Sequence, residues 1–446
     1  MNADRLENEV RGALRTWAPG DSGPPPGIAD RIVRRRRRRT RLRAAGAALA
    51  LTGVALGTTL VTGAAGDDAP PAFRVSEESD LLWRTTLPGI SWDACTTGPG
   101  AVFCRGALHD AVGIDARTGD LQWQRRAVPA GSSSSPAGAL PGVRDGILYT
   151  YADHSPGAPA PGTDLVALGT DGRQVLWRHE LADDSRDRAS AVLFDGGILA
   201  GGPGARSVTA LEPRTGRTLW THSWDGADCD RAAIGGVPHL MCSPDEGSPA
   251  RGSTVVRLDP ATGAPRTVAS VAGPTTWIGT DRDAVLLGAG ELAGGAEPTE
   301  LVRVDLRTGA VARHPVDGLP AGVVADGIVL ASGANGRAVA YAAGDGRRLW
   351  SRELGLDLRA EPGDPTAREH ASAAAVDLRE RVAYYLGPNG RLTGLDLDSG
   401  AVRWRARVQV STEPVAGGTA PELMLRDGSL IGLAGGELFR IRPVLH

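Results

Sequence analysis

Residues 114–123 read I-D-A-R-T-G-D-L-Q-W: a short apolar run, an acidic residue, Thr-Gly, and a second run that ends in Trp. The glycine supplies the positive φ of a tight turn, and the acidic side chain accepts hydrogen bonds from turn N–H groups. Each such unit is therefore predicted to be a β-hairpin. The arrangement recurs at 167–177, 211–220, 258–263, 304–309, 342–350 and 395–404.

The copies are evenly spaced: from Gly119 to Gly400 the mean interval between turn glycines is about 47 residues. That is the period of a four-stranded propeller blade rather than of a helical repeat. The Trp four or five residues after the glycine then falls on the outermost strand, where an indole buries about 150–250 Å². We therefore assign the repeat tryptophans and acids to structural clips between blades, not to a ligand cage: Trp83, Asp115, Trp123, Trp177, Trp220, Asp259, Asp305, Trp350, Asp396 and Trp404.

The pattern resembles the PQQ-like (quinoprotein-type) β-propeller repeat, A-x-D-x-x-T-G-x-x-x-W, over roughly residues 80–446. The resemblance implies an all-β propeller. Thr267 and Arg313 stand in place of Trp in the fourth and fifth copies, and Ala342 replaces the acid of the sixth. We expect these three blades to be more loosely clipped.

An eighth blade follows from the two ends of the repeat region. Residues 421–443 contain three strands without a fourth, whereas residues 80–88, D-L-L-W-R-T-T-L-P, form a lone strand without a hairpin before it. Placing Trp83 on the missing outer strand closes the ring. The sequence thus predicts an eight-bladed propeller in which an N-terminal strand completes the last blade.

The four cysteines test the register of two hairpins. Cys95 and Cys104 lie at equal distances from a Pro99-Gly100 turn, and Cys229 and Cys242 from Gly235-Gly236. Directly opposite residues at non-hydrogen-bonded positions have Cα atoms about 4.5 Å apart, within disulfide range. We predict two bridges within blades, Cys95–Cys104 and Cys229–Cys242.

The N-terminal region differs in charge from the rest of the chain. Residues 1–43 hold 12 arginines and five acids, the remainder 37 arginines and 47 acids, and lysine is absent, which indicates a GC-rich bacterial source. Residues 44–66 are uncharged and long enough as a helix, about 34 Å, to cross a bilayer. Arginines before this segment and Asp67-Asp68 after it orient the N-terminus towards the cytosol.

We therefore predict a cytosolic basic head (1–43), a transmembrane helix (44–66), a linker (67–79) and an extracytoplasmic propeller (80–446), in a single-pass plasma-membrane protein. Cleavage near Thr62-Gly63-Ala64 is the alternative. The arginine run is predicted to bind anionic inner-leaflet lipid rather than nucleic acid, because the neighbouring apolar segment accounts for its charge. The residues of this run are Arg34, Arg35, Arg36, Arg37, Arg38 and Arg39.

The head also carries a helical stripe, Leu6, Val10, Leu14 and Trp17, which Pro19 ends. Two interpretations remain open: a short amphipathic helix lying on the membrane, or a docking helix for a cytosolic partner.

Loop lengths predict which face of the propeller binds a partner. With strands a to d in each blade, the a–b and c–d turns share one face and are short, whereas the long segments all lie in b–c and d–a connections. Function concentrates in loops on a rigid scaffold. The candidate binding face is largely acidic: Asp245, Glu246, Arg251, Glu297, Arg359, Glu361, Asp364, Arg368 and Glu369.

The resemblance to quinoprotein dehydrogenases implies PQQ and Ca²⁺, but the adjacent cysteine pair of that family is missing here. No H-E-x-x-H, G-x-S-x-G or P-loop motif occurs in the sequence. We therefore predict a non-catalytic scaffold without a cofactor that binds a protein or a cell-envelope ligand. The alternatives are a sensor that signals through residues 1–43 and, third, a PQQ-dependent dehydrogenase.

Overall fold

The computed structural model leaves the basic head, the apolar segment 44–66 and most of the linker outside its described residues. The predictions made for those segments are therefore not addressed by the structure. The described residues are 74–75, 80–86, 90–106, 109–126, 140–153, 163–181, 191–202, 206–244, 252–290, 298–319, 322–333, 336–356, 358, 360–361, 364–368, 370–410 and 421–445.

Eight four-stranded antiparallel blades make up the fold, each formed largely by consecutive strands. Two strands precede the first complete blade: β1 (Arg74–Val75) and β2 (Leu81–Thr86). Blade 1 contains β3 (Ile90–Gly98), β4 (Ala101–Gly106), β5 (His109–Asp115) and β6 (Leu121–Arg126). Blade 2 contains β7 (Gly142–Arg144), β8 (Ile147–Asp153), β9 (Thr163–Gly169) and β10 (Val175–Glu180). Blade 3 contains β11 (Val192–Phe194), β12 (Gly197–Gly201), β13 (Ser207–Leu211) and β14 (Thr218–Ser223).

The next three blades follow the same order, and a small hairpin comes after them. Blade 4 contains β15 (Ala227–Ile234), β16 (Val237–Pro244), β17 (Ser253–Leu258) and β18 (Pro265–Val271). Blade 5 contains β19 (Thr275–Asp281), β20 (Ala284–Ala289), β21 (Glu300–Asp305) and β22 (Val311–Pro315). Blade 6 contains β23 (Gly322–Ala325), β24 (Ile328–Ser332), β25 (Arg337–Ala342) and β26 (Arg348–Glu353). The hairpin pairs β27 (Ala360–Glu361) with β28 (Asp364–Arg368).

The last two blades complete the ring. Blade 7 contains β29 (Ala375–Asp377), β30 (Val382–Leu386), β31 (Arg391–Asp396) and β32 (Val402–Arg407). Blade 8 contains β33 (Glu422–Arg426), β34 (Ser429–Ala434), β35 (Glu437–Ile441) and, as its outer strand, β2. The first strands of neighbouring blades contact each other, as β3 contacts both β7 and β33, so these a strands surround the axis.

Blade 8 joins the two ends of the propeller, as the sequence predicts. Strand β2 pairs antiparallel with β35, from Leu81 opposite Ile441 to Thr86 opposite Glu437. The Trp83 side chain is buried in a cluster that contains Ile431 of blade 8 and residues of blade 1. The predicted eight-bladed all-β fold and its closure are both confirmed.

Strand β1 was not expected, since the sequence suggested only a linker before residue 80. It pairs in parallel with β32, with Arg74 opposite Ala406 and Val75 opposite Arg407. Blade 7 therefore has a fifth strand at its outer edge. The compact unit that holds the propeller begins at Pro70.

The acidic residue at the start of the repeat turn organises the hairpins that carry it. In blade 1, Asp115 Oδ1 accepts hydrogen bonds from the N–H groups of Arg117 (2.8 Å) and Thr118 (2.9 Å). The Gly119 N–H donates to the Asp115 carbonyl at 2.9 Å, with φ of 78° at the glycine. The turns at Asp259, Asp305 and Asp396 repeat this pattern.

A β-bulge precedes the repeat tryptophan in six outer strands, where the pairing shifts by one residue immediately before the Trp. A bulge re-aims the side chains that follow it. In five of these strands the indole contacts the turn glycine of the next blade; a Cβ on Gly216, for example, would lie 2.7 Å from Trp177. The indole Nε1–H also donates to a carbonyl of that next turn, as from Trp177 to Pro213 O (2.8 Å) and from Trp350 to Leu397 O (2.9 Å).

The two blades without the repeat tryptophan lack this arrangement. In β18 the register shift comes later, beyond Thr267, and β22 pairs with β21 without a shift. The backbone carbonyl of Val268 and the Cβ of His314 then lie against the next turn glycines, Gly309 and Gly346. Backbone or a smaller side chain thus takes the place of an indole at two seams.

Candidate functional site

The strand order divides the connections between two faces of the propeller. The a–b and c–d turns form the turn face, and the b–c and d–a connections form the loop face. All the a–b and c–d turns between consecutive strands belong to the described residues, and most of them contain a glycine with positive φ. The candidate site is the loop face, where the long connections begin and end.

The nine predicted binding-face residues divide into two groups. Asp245, Glu246, Arg251, Glu297, Arg359 and Glu369 lie outside the described residues. The other three, Glu361, Asp364 and Arg368, lie on the backbone of the hairpin β27–β28. The binding face therefore stays a prediction.

The hairpin is an element that sequence reasoning missed, although the sequence contains a Pro362-Gly363 dipeptide, which is a turn signal. It belongs to the d–a connection between blades 6 and 7. Before the hairpin, Leu354 and Leu356 are almost fully buried. Blade 7 binds the carbonyls of both leucines, through Thr393 Oγ1 (2.7 Å) and Asn389 Nδ2 (2.8 Å).

After the hairpin, Ser372 returns the chain to blade 7. Its N–H donates to the Leu386 carbonyl at 2.8 Å, and its Oγ accepts the Leu386 N–H at 2.9 Å. Ser372 is fully buried. Blade 7 therefore holds the chain on both sides of the hairpin, as is typical of a loop carried by a rigid scaffold.

A polar cluster lies beneath the loop face at blades 1 to 3. The Arg105 guanidinium lies 5.7 Å from the centre of the Tyr151 ring, a cation–π contact. The Tyr151 hydroxyl accepts the Ala191 N–H at 2.6 Å, and Thr150 Oγ1 donates to the Asp110 carbonyl at 2.8 Å. Side chains of blade 2 thus connect to backbone groups of both neighbouring blades.

Burial controls the protonation of this cluster. It raises the pKa of Tyr151 to about 12, against the smaller opposing effects of the Ala191 N–H, Arg105 and Arg231. Outside this cluster, burial also lowers the pKa of His179 in blade 2 and of His239 in blade 4. At neutral pH Tyr151 is an uncharged hydrogen-bonding group, which suits positioning of strand ends better than proton transfer.

Both predicted disulfides are confirmed. Cys95–Cys104 and Cys229–Cys242 bridge directly opposite residues, with Cα–Cα distances of 4.1 and 3.9 Å. The Cys95 N–H also donates to Glu422 Oε2 of blade 8 at 2.9 Å. The first bridge therefore lies at the contact between the first and last blades.

Within the described residues, no group of three or more His, Cys, Asp or Glu side chains is arranged to hold a metal ion. They also include no helix long and apolar enough to span a bilayer, and the segment 44–66 is not among them.

The sequence profile of the PQQ_2 family, described as outer membrane protein assembly factor BamB, matches residues 53–197, 109–278 and 204–417. These overlapping matches cover most of the chain. The chain belongs to the BamB family. A search of curated proteins gives no match.

Solved structures agree with this BamB-family fold. BamB from Moraxella catarrhalis superposes with a TM-score of 0.54 at 13% identity, covering 81% of this chain and 99% of that one. Sqt1 of Saccharomyces cerevisiae gives 0.56 at 12% identity, covering 82% and 99%. The computationally designed protein Ika8 gives 0.51 at 14% identity, covering 82% and 100%. At these identities the likeness concerns the fold alone.

Proposed function

We propose that this BamB-family propeller is a non-catalytic scaffold that binds a protein or a cell-envelope ligand through its loop face. The observation that carries the proposal is the anchored hairpin β27–β28 on that face. Glu361 and Asp364 are paired in the hairpin backbone. The chain before the hairpin is held at Leu354 and Leu356, and the chain after it at Ser372. A fixed loop loses little conformational entropy when it binds.

The family supports a protein partner, because its description is that of an assembly factor. The closed ring of blades supports a scaffold: indoles and backbone groups link each turn to its neighbour, so the loop connections share one rigid base. The uncharged segment 44–66 supports attachment to the plasma membrane, with the propeller on the outside. In this proposal Arg34–Arg39 bind anionic lipid on the cytosolic side.

Site-directed photocrosslinking tests the loop face. A photoreactive amino acid at Asp364 is compared with one at Arg307, an exposed residue of a c–d turn on the turn face. We expect a discrete crosslinked product from position 364 and none from position 307. Products from position 307 alone, or from neither position, would contradict the proposal.

Protease protection tests the attachment separately. Cells whose plasma membrane is accessible to protease are digested before and after that membrane is permeabilised. In a second assay, isolated membranes are washed with alkaline carbonate, which removes proteins that do not span the bilayer. We expect the propeller to be digested from outside while residues 1–43 are protected and stay with the membrane. Release of the chain by carbonate would contradict the proposed transmembrane anchor, but it would not affect the crosslinking test of the loop face.

The same cells test the sensor alternative. The Leu6, Val10, Leu14 and Trp17 stripe is the feature that favours it. Capture of one cytosolic protein by residues 1–43 would favour signalling over a passive scaffold, provided that the capture is lost in the double variant Val10→Asp with Leu14→Asp.

A further inference from the structure

The Trp404 indole of blade 7 lacks the contact that the other five repeat tryptophans make with the next blade. Those five donate from Nε1–H to a carbonyl of the next c–d turn, at distances from 2.8 to 3.0 Å. The glycine of that same turn lies against each of the five rings. Among the described residues, the Trp404 Nε1–H has no acceptor, and no turn glycine lies against its ring. Trp404 therefore keeps an unused hydrogen-bond donor.

The reason is the way in which blade 8 is closed. In the other blades one continuous turn joins the third strand to the outer strand, whereas in blade 8 these strands, β35 and β2, come from opposite ends of the propeller sequence. In blade 3 the Glu212 N–H donates to the Arg217 carbonyl at 2.8 Å and closes the turn. In blade 8 the Arg442 N–H donates to the Asp80 carbonyl at 2.9 Å, so the same bond joins two separate segments. We call this place, formed by residues 80–81 and 441–445, the open corner.

The open corner begins like the c–d turn of another blade and then departs from it. Counting from the closing bond, Pro443 stands where Pro213 stands in blade 3. The Pro213 carbonyl accepts the Trp177 Nε1–H at 2.8 Å. No described hydrogen bond joins Pro443 to Trp404. The residues at the corner thus leave this contact between blades unmade.

Apolar side chains surround the unused donor. On the side of its own blade, the Trp404 ring packs edge-on against Tyr384, with ring centres 5.9 Å apart. Leu445 packs against the buried cluster that contains Trp404, whereas Val444 and Leu82 are 46% and 38% exposed. The indole nitrogen is not one of the buried atoms that lack a partner, so its N–H edge reaches solvent. A buried indole normally finds an acceptor for this group, and here the position for one is open.

We propose that the open corner binds a glycine-containing β-turn of a partner protein, which takes the place of the turn that blade 8 lacks. A carbonyl of the partner's turn accepts the Trp404 Nε1–H, and the glycine two or three residues later lies against the ring. The five intact contacts show the geometry, because each combines such a carbonyl and glycine in one turn. The site is on the turn face at blades 7 and 8, and it does not depend on the loop-face scaffold or on membrane attachment.

The requirement for glycine in the partner follows from the space beside the ring. A Cβ on Gly216 would lie 2.7 Å from the Trp177 ring, and one on Gly400 would lie 2.6 Å from the Trp350 ring. Both glycines also have φ of 68°, which other residues rarely adopt. A turn with another residue at this position collides with the indole, so the open corner is specific for glycine.

A peptide probe tests the site in the intact protein. The probe is a cyclic peptide with the sequence of residues 211–218, Leu-Glu-Pro-Arg-Thr-Gly-Arg-Thr, which is the turn that the Trp177 indole contacts. A fluorescent form is titrated with the full chain in neutral detergent, and its anisotropy is measured. We expect saturable binding, and about fivefold weaker binding to Trp404→Phe, because phenylalanine keeps an aromatic ring but donates no hydrogen bond.

Matched controls separate the open corner from the rest of the surface. Trp177→Phe removes an N–H that is already bound to Pro213, and should bind the peptide within about twofold of wild type. In the peptide, Gly216→Ala should weaken binding about tenfold, whereas Arg214→Ala, at a position exposed in the intact turn, should leave it unchanged. Equal binding of the two alanine peptides, or equal weakening by Trp404→Phe and Trp177→Phe, would overturn the site.

A measurement on the wild type keeps the test valid if Trp404→Phe does not fold. Of the ten tryptophan indole N–H signals in a ¹⁵N spectrum, we expect one to move downfield on addition of the peptide, as that group gains an acceptor. If no signal moves, the proposal is wrong. Sedimentation of the free chain tests the other occupant: a dimer that the peptide disperses would assign the open corner to a second copy and contradict a separate partner.

Discussion

At the scale of the residue, the turn glycine and the tryptophan of the preceding blade form one contact between blades. Gly216 has φ of 68° and lies against the Trp177 indole, while the Trp177 Nε1–H binds the Pro213 carbonyl of the same turn. Glycine is required there twice, for its backbone conformation and for the space that the ring fills.

Replacing this glycine separates the two requirements. Gly146 also has positive φ, 74°, but a Cβ there would meet nothing within 4 Å. We expect Gly146→Ala to cost about 1–2 kcal/mol from the left-handed backbone alone. Gly216→Ala should cost about 1–3 kcal/mol more, because the Cβ collides with the indole.

Urea unfolding of both variants measures this difference. Equal losses of stability in the two variants would mean that the indole shifts without cost, and the contact would then contribute nothing beyond the turn geometry.

The turn carboxylates make stability depend on pH at the acid end. Hydrogen bonds within the turn lower the pKa of Asp115, of Asp259 and of Asp305 below the usual 3.8. A pKa lower in the folded state gives stability that is fully present above the unfolded pKa and is lost as pH falls through the folded one. We expect the triple variant Asp115→Asn, Asp259→Asn, Asp305→Asn to lose less stability than wild type between about pH 5 and about pH 2.

Unfolding midpoints across this pH range provide the measurement. Asp120→Asn removes a carboxylate that accepts no turn N–H bond among those described, and is the control. Parallel curves for the wild type and the triple variant would show that the turn hydrogen bonds do not contribute to the pH dependence of stability.

At the scale of the element, the outer strands differ in how they contact the next blade. Six carry a bulge and then a Trp, of which Trp177, Trp220 and Trp350 are at most 8% exposed. Strand β22 has neither, and its Val311, Ala312 and Arg313 are all exposed. This strand buries less apolar surface against the next blade. The difference agrees with the expectation that the blade with Arg313 in place of Trp is more loosely clipped.

Hydrogen exchange should show the difference. We expect amides of β22 to exchange faster than those of β26, because local opening of β22 exposes less buried surface. Mass spectrometry of peptides covering 311–315 and 348–353 gives the comparison. Equal protection of the two peptides would contradict a looser seam after blade 5.

At the scale of the whole molecule, the N-terminal strand closes the ring. Trp83 of β2 is 7% exposed, and its Nε1–H donates to the Ala116 carbonyl of blade 1 at 3.0 Å. Arg440 Nη1 donates to the same carbonyl at 2.8 Å. The stability of blade 8 therefore depends on residues more than 300 positions away in sequence.

Two truncations distinguish the contribution of the closing strand β2 from that of the residues before β1. Removing residues 1–72 keeps β1 and β2, and should leave the thermal midpoint of the propeller almost unchanged. Removing residues 1–86 takes away β1, β2 and the Trp83 indole, a loss of about 3–5 kcal/mol from the aromatic ring alone.

Circular dichroism during heating tests this pair. We expect a cooperative transition for the first truncation and a broad or lower one for the second. Matching transitions would mean that three strands suffice in blade 8.

The sequence by itself determined the eight blades, their closure and the two disulfides, because turn glycines and period-two alternation act within a hairpin and set its register. It did not predict β1 or the hairpin β27–β28. Strand β1 pairs with β32 near the other end of the chain, and the two ends of the hairpin are held by contacts with blade 7. Only the packed blades decide these elements, since contacts between blades join residues that no local pattern relates.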